Sequence, residues 1–138
     1  YETNIFIYFN LIMTCFWDGI LNKLTNYDFK KFNINKPRNK EFVYFLKKHN
    51  TKTSNIKWNS KMLTHKQLEE NFNHIKDFNP NTISRGYLCS TCEPFLFLIS
   101  YLFDVNIDHN YCGHVMKYRI NNSNRILIFK SNKRHFSS

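Results

Sequence analysis

A cysteine and a histidine far apart in the chain are the residues whose types and positions could do chemistry together. Cys15 begins the amphipathic stretch CFWDGILNKL, and His114 begins the alternating stretch HVMKYRI. A thiol in the first turn of a helix lies in the positive field of the helix dipole, which lowers its pKa and favours the nucleophilic thiolate. An imidazole beside it can accept the thiol proton and later donate it to a leaving group. The two residues therefore predict a nucleophilic site.

Both residues also have an ordinary structural interpretation. A cysteine at a helix start is most often a buried packing residue, and a histidine on a strand usually has a structural role. The other histidines are expected on polar helix faces, in loops or in the C-terminal tail: His49, His65, His74, His109 and His135. The catalytic interpretation is favoured because a cysteine opening the first helix occurs together with a Gly-His pair before an alternating strand.

The remaining cysteines raise a rival hypothesis, a zinc site. Cys89 and Cys92 have the spacing of a zinc knuckle, and Cys112 lies two residues before His114. Thiolates and imidazoles are the ligands that structural zinc sites use. A single residue between two ligands is unusual, however, and such a site would use His114 itself. The alternative function is thus a zinc-binding accessory or interaction module.

Local patterns predict the elements that would position Cys15. Apolar residues at helical spacing predict a helix over residues 16–24 and a second helix that begins near Glu41. A third helix has the clearest start, because Thr64 and Gln67 form a capping-box pattern. The remaining segments of this half are a predicted short strand over residues 4–9 and a predicted polar surface loop over residues 25–40.

The second half of the chain has the character of a sheet. Residues 87–103 are strongly apolar and could form a buried strand or a short helix, either of which Pro94 interrupts. Residues 111–120 alternate between apolar and polar, and residues 125–130 form another apolar run. Because Asn-Asn-Ser-Asn between them is a turn signal, we predict that these two segments pair as a β-hairpin.

Helices first and strands later indicate an α+β fold. We expect one domain over residues 1–138, with a helical lobe at about 10–80 and an antiparallel β lobe at about 81–138. A content of 42% hydrophobic and 17% aromatic residues excludes a disordered chain. The longest apolar run, residues 94–103, is too short to span a bilayer, so no membrane partner is expected within this domain. Since the chain begins at Tyr1, we expect a domain of a larger protein.

The formal net charge of +10 is weak evidence for a nucleic-acid partner. Asn, Lys, Ile, Phe and Tyr make up about half of the chain, and AT-rich codons alone would produce this bias. The basic residues are scattered singly or in pairs, so we expect no nucleic acid as partner. Four cysteines are too few and too widely spaced for a disulfide scaffold, which predicts free thiols in a reducing compartment.

The segments around Cys15 and His114 together carry a family resemblance. The stretch TCFWDGILNKL resembles the nucleophile segment of the leader protease of foot-and-mouth disease virus, and CGHVMKYR with the predicted hairpin follows in the same order. Together with the composition, these motifs resemble the papain-like protease domain of toroviruses. The resemblance implies a papain-like two-lobed fold, no cofactor, and a cysteine endopeptidase that cleaves the viral polyprotein in the host cytoplasm. It also implies removal of ubiquitin or ubiquitin-like modifiers.

The same resemblance implies two further parts of the catalytic site. Asn10, five residues before the nucleophile, would bind the oxyanion together with the backbone N–H of Cys15. In the simplest register of the predicted hairpin, His114 faces Ser131, and a one-residue bulge would replace Ser131 by Asn132. Either residue could orient the imidazole, although the leader protease has an Asp at this place.

Three residues near His114 are predicted to contact the substrate. Asp104 and Asp108 lie in the segment that leads to His114, and a carboxylate can hold an arginine of a ubiquitin tail by paired hydrogen bonds. Gly113 has no side chain and would leave room for an extended substrate backbone.

Overall fold

The computed structural model describes residues 15–85, 89–121, 123–132 and 136–137, and for residues 84, 85 and 89–91 it describes the backbone alone. Over these ranges the protein is a mixed six-stranded sheet with helices packed on it. The helices are α1 Cys15–Lys23, α2 Asn26–Lys30, α3 Asn39–Lys48, α4 His65–Asp77 and α5 Cys89–Phe103, and a 3-10 helix covers Pro80–Arg85. The strands are β1 Ile56–Trp58, β2 Lys61–Met62, β3 Asn106–Tyr111, β4 His114–Ile120, β5 Ile126–Ser131 and β6 Phe136–Ser137.

The sheet has one covered face and one exposed face. Its strands are ordered β2-β1-β4-β3-β5-β6, with β3 and β5 parallel and the other neighbours antiparallel. On the covered face, Phe97 of α5 contacts Tyr118 of β4, and Phe16 of α1 contacts Phe136 of β6, each with ring centroids 4.8 Å apart. The opposite face exposes three aliphatic residues: Val115, Ile126 and Ile128.

Two of the described helices begin with a capping box, and one of these was indicated by the sequence. The first helix is confirmed, and Cys15 is its first residue. The predicted capping box before α4 is also confirmed, since the Thr64 hydroxyl accepts from the Gln67 N–H and the Gln67 side chain accepts from the Thr64 N–H. A second capping box, between Thr25 and Asp28, starts α2 inside the segment predicted to be a loop. The loop prediction was therefore wrong for Asn26–Lys30, where this capping box starts a helix, and correct for residues 31–38.

Helix α5 settles the alternatives for the apolar run that ends at Phe103. From Cys89 to Phe103 the run is a helix, and it is apolar on nearly every side because it lies in the middle of the core. Its side chains Phe95, Leu98 and Ile99 are completely buried between the sheet and the other helices. An apolar segment buried on all sides has no polar face, so periodicity cannot distinguish a helix from a strand.

The predicted hairpin between the segments 111–120 and 125–130 was wrong. Strand β4 forms its hairpin with β3, through a two-residue turn in which Cys112 and Gly113 both have positive φ, 51° and 90°. Such a turn matches the twist of paired strands and favours glycine. The chain then crosses to the other side of β3, where β5 pairs in parallel. The Asn106 side chain supports this crossing, because it accepts from the Ile120 N–H and donates to the Ser123 carbonyl, both at 2.9 Å.

The mixture of helices with one sheet agrees with the predicted α+β class. The sheet, however, takes strands from both halves of the chain, because β1 pairs with β4. Helix α5 likewise lies in the half predicted to be the β lobe, where it packs on β3 and β4. None of the helices in the described ranges has the length and apolar character that crossing a membrane requires.

An ion pair fastens the start of β5 to helix α2. The Arg125 guanidinium donates to both carboxylate oxygens of Asp28, at 2.5 and 3.1 Å, and to the Lys23 carbonyl at 2.9 Å. Burial alone would raise the pKa of Asp28, but the hydrogen bonds from Arg125 and Thr25 outweigh it and lower that pKa. The carboxylate is 7% exposed and the guanidinium 41%, so the pair lies between a buried and a surface salt bridge.

We expect Arg125→Met to lower the free energy of unfolding by about 2 kcal/mol, because Asp28 would keep its burial and lose its partner. A lowered carboxylate pKa stabilises the fold at pH values above its unfolded value, and this contribution is lost as pH falls through the folded pKa. The difference between wild type and variant in urea unfolding should therefore shrink below about pH 4.

Lys31→Met is the matched control for this measurement. Lys31 pairs with Asp104 at 3.3 Å, and their side chains are 45% and 72% exposed. Breaking such a surface pair should cost less than about 0.5 kcal/mol. Equal losses in the two variants would contradict the role of the Arg125–Asp28 pair.

Candidate functional site around Cys15

Cys15 lies where helix α1 meets the last described strand. Its side chain is only 5% exposed, and its Sγ accepts a hydrogen bond of 3.2 Å from the backbone N–H of Phe136. The Phe16 ring, next along the helix, packs edge-on against the Phe136 ring. Strand β6 is thus held against the N-terminal end of α1, where the backbone of Phe136 contacts the thiol.

The electrostatic surroundings of the thiol differ from the sequence expectation. Burial raises the pKa of Cys15, and the carboxylate of Asp18 raises it further. The N–H groups of Phe136, Cys15 and Phe16 favour the thiolate but do not outweigh burial. The expected lowering of the pKa by the helix N-terminus was therefore wrong for the described surroundings. A thiol so placed needs a partner base to become nucleophilic.

The structure does not bring His114 to Cys15. His114 pairs with Tyr111, Tyr111 with Ser131, and Ser131 with Phe136, so these four residues form one row across the sheet. Three strand spacings separate His114 from Phe136, which is about 14 Å. The predicted pairing of His114 with Ser131 was wrong, because β3 lies between their strands.

A different histidine lies in the neighbourhood of the thiol. His109 is completely buried on β3, its Nε2 is 2.5 Å from Ser131 Oγ, and its ring centroid is 5.4 Å from that of Phe136. Burial lowers the pKa of His109 to about 4, so its imidazole is neutral at physiological pH. From the sequence alone, His109 is expected at a polar position, and this expectation is wrong. Ile107 lies two residues earlier in β3 and therefore on the same face as His109. This two-residue spacing is the sequence signal that predicts a core position for His109.

The remaining predicted members of the catalytic site lie at the edges of the described ranges. Asn10, the predicted oxyanion donor, lies outside the described residues. Asn132 is exposed and follows Ser131 directly at the end of β5. His135, which is expected in the C-terminal tail and not in the catalytic site, precedes Phe136 in the sequence and also lies outside the described residues. The described partners of Cys15 are accordingly those of β6 and of its own helix.

The predicted substrate contacts are not gathered at Cys15. Asp108 pairs with Arg119 at 2.6 Å on the exposed face of the sheet, because it alternates with the inward-facing His109. Asp104 has a φ of 53° after α5 and pairs with Lys31. Gly113 occupies the turn before His114, where its φ of 90° explains the glycine. These three residues therefore have structural explanations of their own.

The zinc hypothesis gains no support from the described side chains. Among them, no three His, Cys, Asp or Glu groups come close enough to hold a metal ion. Cys92 is buried in α5, whereas Cys112 and His114 are exposed at the β3–β4 turn. The side chain of Cys89 is not among those described.

The arrangement that remains is a thiol at a helix N-terminus, in contact with a strand that directly follows a histidine in the sequence. Such an arrangement can support nucleophilic attack on a carbonyl, with backbone N–H groups at hand for an oxyanion. Comparison of the chain with protein-family models, with curated proteins and with solved structures finds no match.

Proposed function

We propose that the protein is a papain-like cysteine endopeptidase in which Cys15 is the nucleophile and His135 is the base. The observation that supports this is the hydrogen bond from the Phe136 N–H to Cys15 Sγ. That N–H belongs to the peptide bond that joins His135 to Phe136, so the order of the chain favours His135 over the distant His114. A general base must lie within hydrogen-bond distance of the proton that it removes.

In the proposed reaction His135 takes the proton of Cys15, and Sγ attacks the scissile carbonyl carbon. The C–N bond breaks, and His135 gives the proton to the leaving amine, which leaves a thioester on Cys15. Water, deprotonated by His135, then attacks the thioester and releases the acid and the thiol. The Cys15 N–H at the start of α1 and the proposed Asn10 side chain would hold the oxyanion.

Asn132 is the residue that we propose to orient the imidazole. Strand β5 pairs with β6 in an antiparallel register in which Ser131 faces Phe136. In the sequence, Asn132 directly follows Ser131 and His135 directly precedes Phe136. A side-chain amide can hold an imidazole in the required tautomer as a carboxylate does. Ser131 is the other predicted candidate, but its hydroxyl already contacts His109.

The substrates are proposed from the sequence resemblance. The resemblance to the torovirus papain-like protease domain implies that the protein cleaves a viral polyprotein in the host cytoplasm. It also implies that the protein removes ubiquitin or a ubiquitin-like modifier after its terminal Gly-Gly. The zinc-binding module is the other function raised by the sequence, and metal analysis of the purified protein distinguishes it.

The proposal is tested with ubiquitin that bears a C-terminal alkyne electrophile. We expect a covalent adduct that mass spectrometry maps to Cys15, because the electrophile would lie where the scissile carbonyl normally does. Cys15→Ala should form no adduct. Cys112→Ala, which removes an exposed thiol, should react like the wild type.

The possible results test the ubiquitin substrate and the peptidase activity separately. Cleavage of polyprotein-derived peptides without an adduct would contradict the proposed modifier activity alone. An adduct at Cys112 instead of Cys15, or neither adduct nor peptide cleavage, would contradict the peptidase.

A further inference from the structure

A narrow cleft lies between strand β1 and helices α4 and α5, away from Cys15. Its volume is about 190 Å³. The residues that line it are Trp58, Leu63, Gln67, Glu70, Asn71, Glu93 and Phe97. Strand β1 is four strand spacings from β6 in the sheet, which is about 19 Å, so this cleft is separate from the proposed peptidase site.

The charge of this cleft is opposite to that of the chain. The protein has a formal net charge of +10. Three other clefts on the described surface each include Lys or Arg among their lining residues, whereas this one includes neither. Its charged residues are the carboxylates of Glu70 and Glu93. A negative cleft on a basic protein concentrates cations and repels the anions that the rest of the surface attracts.

The Glu93 carboxylate is both oriented and poorly hydrated. The Tyr118 hydroxyl donates to its Oε1 at 3.2 Å, which fixes the side chain on α5. Burial raises the pKa of Glu93 because the carboxylate has lost much of its water. An opposite charge entering the cleft would restore the lost stabilisation.

Aromatic side chains complete the lining. Trp58 and Phe97 place ring surfaces in the same cleft as the two carboxylates. A cation over an aromatic face is attracted by the ring quadrupole, most strongly by Trp. The side-chain amide of Asn71 can accept a further hydrogen bond, whereas the amide oxygen of Gln67 already accepts from the Thr64 N–H. This combination suits a planar, weakly hydrated cation better than a compact ammonium.

We propose that this cleft binds the guanidinium group of an arginine side chain presented by a partner peptide. The guanidinium stacks on Trp58 and donates paired hydrogen bonds to Glu93, with Glu70 at the rim. Lys66 is a weak competitor of the arginine for Glu70, because its Nζ is 4.0 Å from the Glu70 carboxylate and both side chains are largely exposed.

The test follows the indole N–H signals by NMR during titration with acetyl-arginine methylamide. The protein has two tryptophans, and Trp17 is 3% exposed in the core, so its signal is an internal control. We expect the Trp58 signal to shift with arginine and the Trp17 signal to stay in place. Acetyl-citrulline methylamide, which has the same shape without the charge, should produce at least about tenfold weaker binding.

Two variants localise the effect, and neither touches the proposed peptidase site. Glu93→Gln should weaken arginine binding by about tenfold or more, and Glu70→Gln by a smaller factor that remains measurable if Glu93→Gln does not fold. Glu69→Gln removes the same charge from an exposed position beside Glu70 and should bind like the wild type. Equal binding of arginine and citrulline, no Trp58 shift, or equal losses in Glu69→Gln and Glu70→Gln would overturn the proposal.

Discussion

Replacing His135 by Ala is expected to lower kcat for a ubiquitin C-terminal fluorogenic amide at least about 1000-fold, because the nucleophile would lose its base. Cys15→Ala should abolish turnover. His114→Ala should remain within about threefold of the wild type, since three strand spacings separate His114 from the strand that contacts the thiol. The measurement is steady-state turnover of the three variants, with circular dichroism to confirm that each is folded.

Alkylation of Cys15 by iodoacetamide provides a readout that needs no substrate. Burial raises the pKa of this thiol, so without an imidazole partner it should react slowly at pH 7. We expect His135→Ala to slow labelling of Cys15 by about tenfold or more and to leave the exposed Cys112 unchanged. A loss of turnover and of Cys15 labelling in His114→Ala, with both retained in His135→Ala, would restore the sequence-based assignment and contradict ours.

The sequence was sufficient where the determining interactions are local. The helical spacing of apolar residues in α1 and the Thr64–Gln67 capping box both belong to short windows of the sequence. Such features are encoded in a short window, and their positions were predicted within a residue. The start of α2 follows the same rule, because Thr25 and Asp28 also form a capping box.

The sequence was insufficient where the partners are distant in the chain. The two segments 111–120 and 125–130 contain the strand β4 and nearly all of the strand β5, as their patterns indicate, but nothing within either segment encodes that β3 lies between these strands. The tight turn at Cys112–Gly113 competes with the Asn-rich segment for the hairpin, and the positive φ that glycine permits decides in favour of the first. The side-chain hydrogen bonds of Asn106 then stabilise the crossing connection.

The order of the strands in the sheet determines which residues lie near Cys15. Once β5 pairs with β3 and β6 pairs with β5, the C-terminal strand is the one that reaches α1, and His114 remains on the far side of β3. The proposed choice of His135 over His114 therefore depends on the strand pairing. Pairing depends on which faces bury their apolar residues together, a property of the assembled sheet.

Among the histidines that the structure describes, His109 is the one that is completely buried. Its ring lies between the covered face of β3 and the C-terminal strand, with Ser131 Oγ at 2.5 Å from Nε2 and the Phe136 ring beside it. A charged imidazole there would lose its hydration, and this loss lowers the pKa to about 4. In the unfolded chain the same group would titrate near its ordinary value of about 6.5.

We expect this difference to make the protein lose roughly 3 kcal/mol of stability as pH falls from about 6.5 to about 4. In this range the unfolded state binds a proton at His109 and the folded state does not, so acid favours unfolding; above it the contribution is constant. Urea unfolding of His109→Gln should show a flatter pH dependence, whereas His114→Gln, at an exposed position, should follow the wild type. If His109→Gln does not fold, an NMR titration of the wild-type His109 ring should give a pKa of about 4. A pKa near 6.5, or an unchanged slope in a folded His109→Gln, would show that burial does not hold this imidazole neutral.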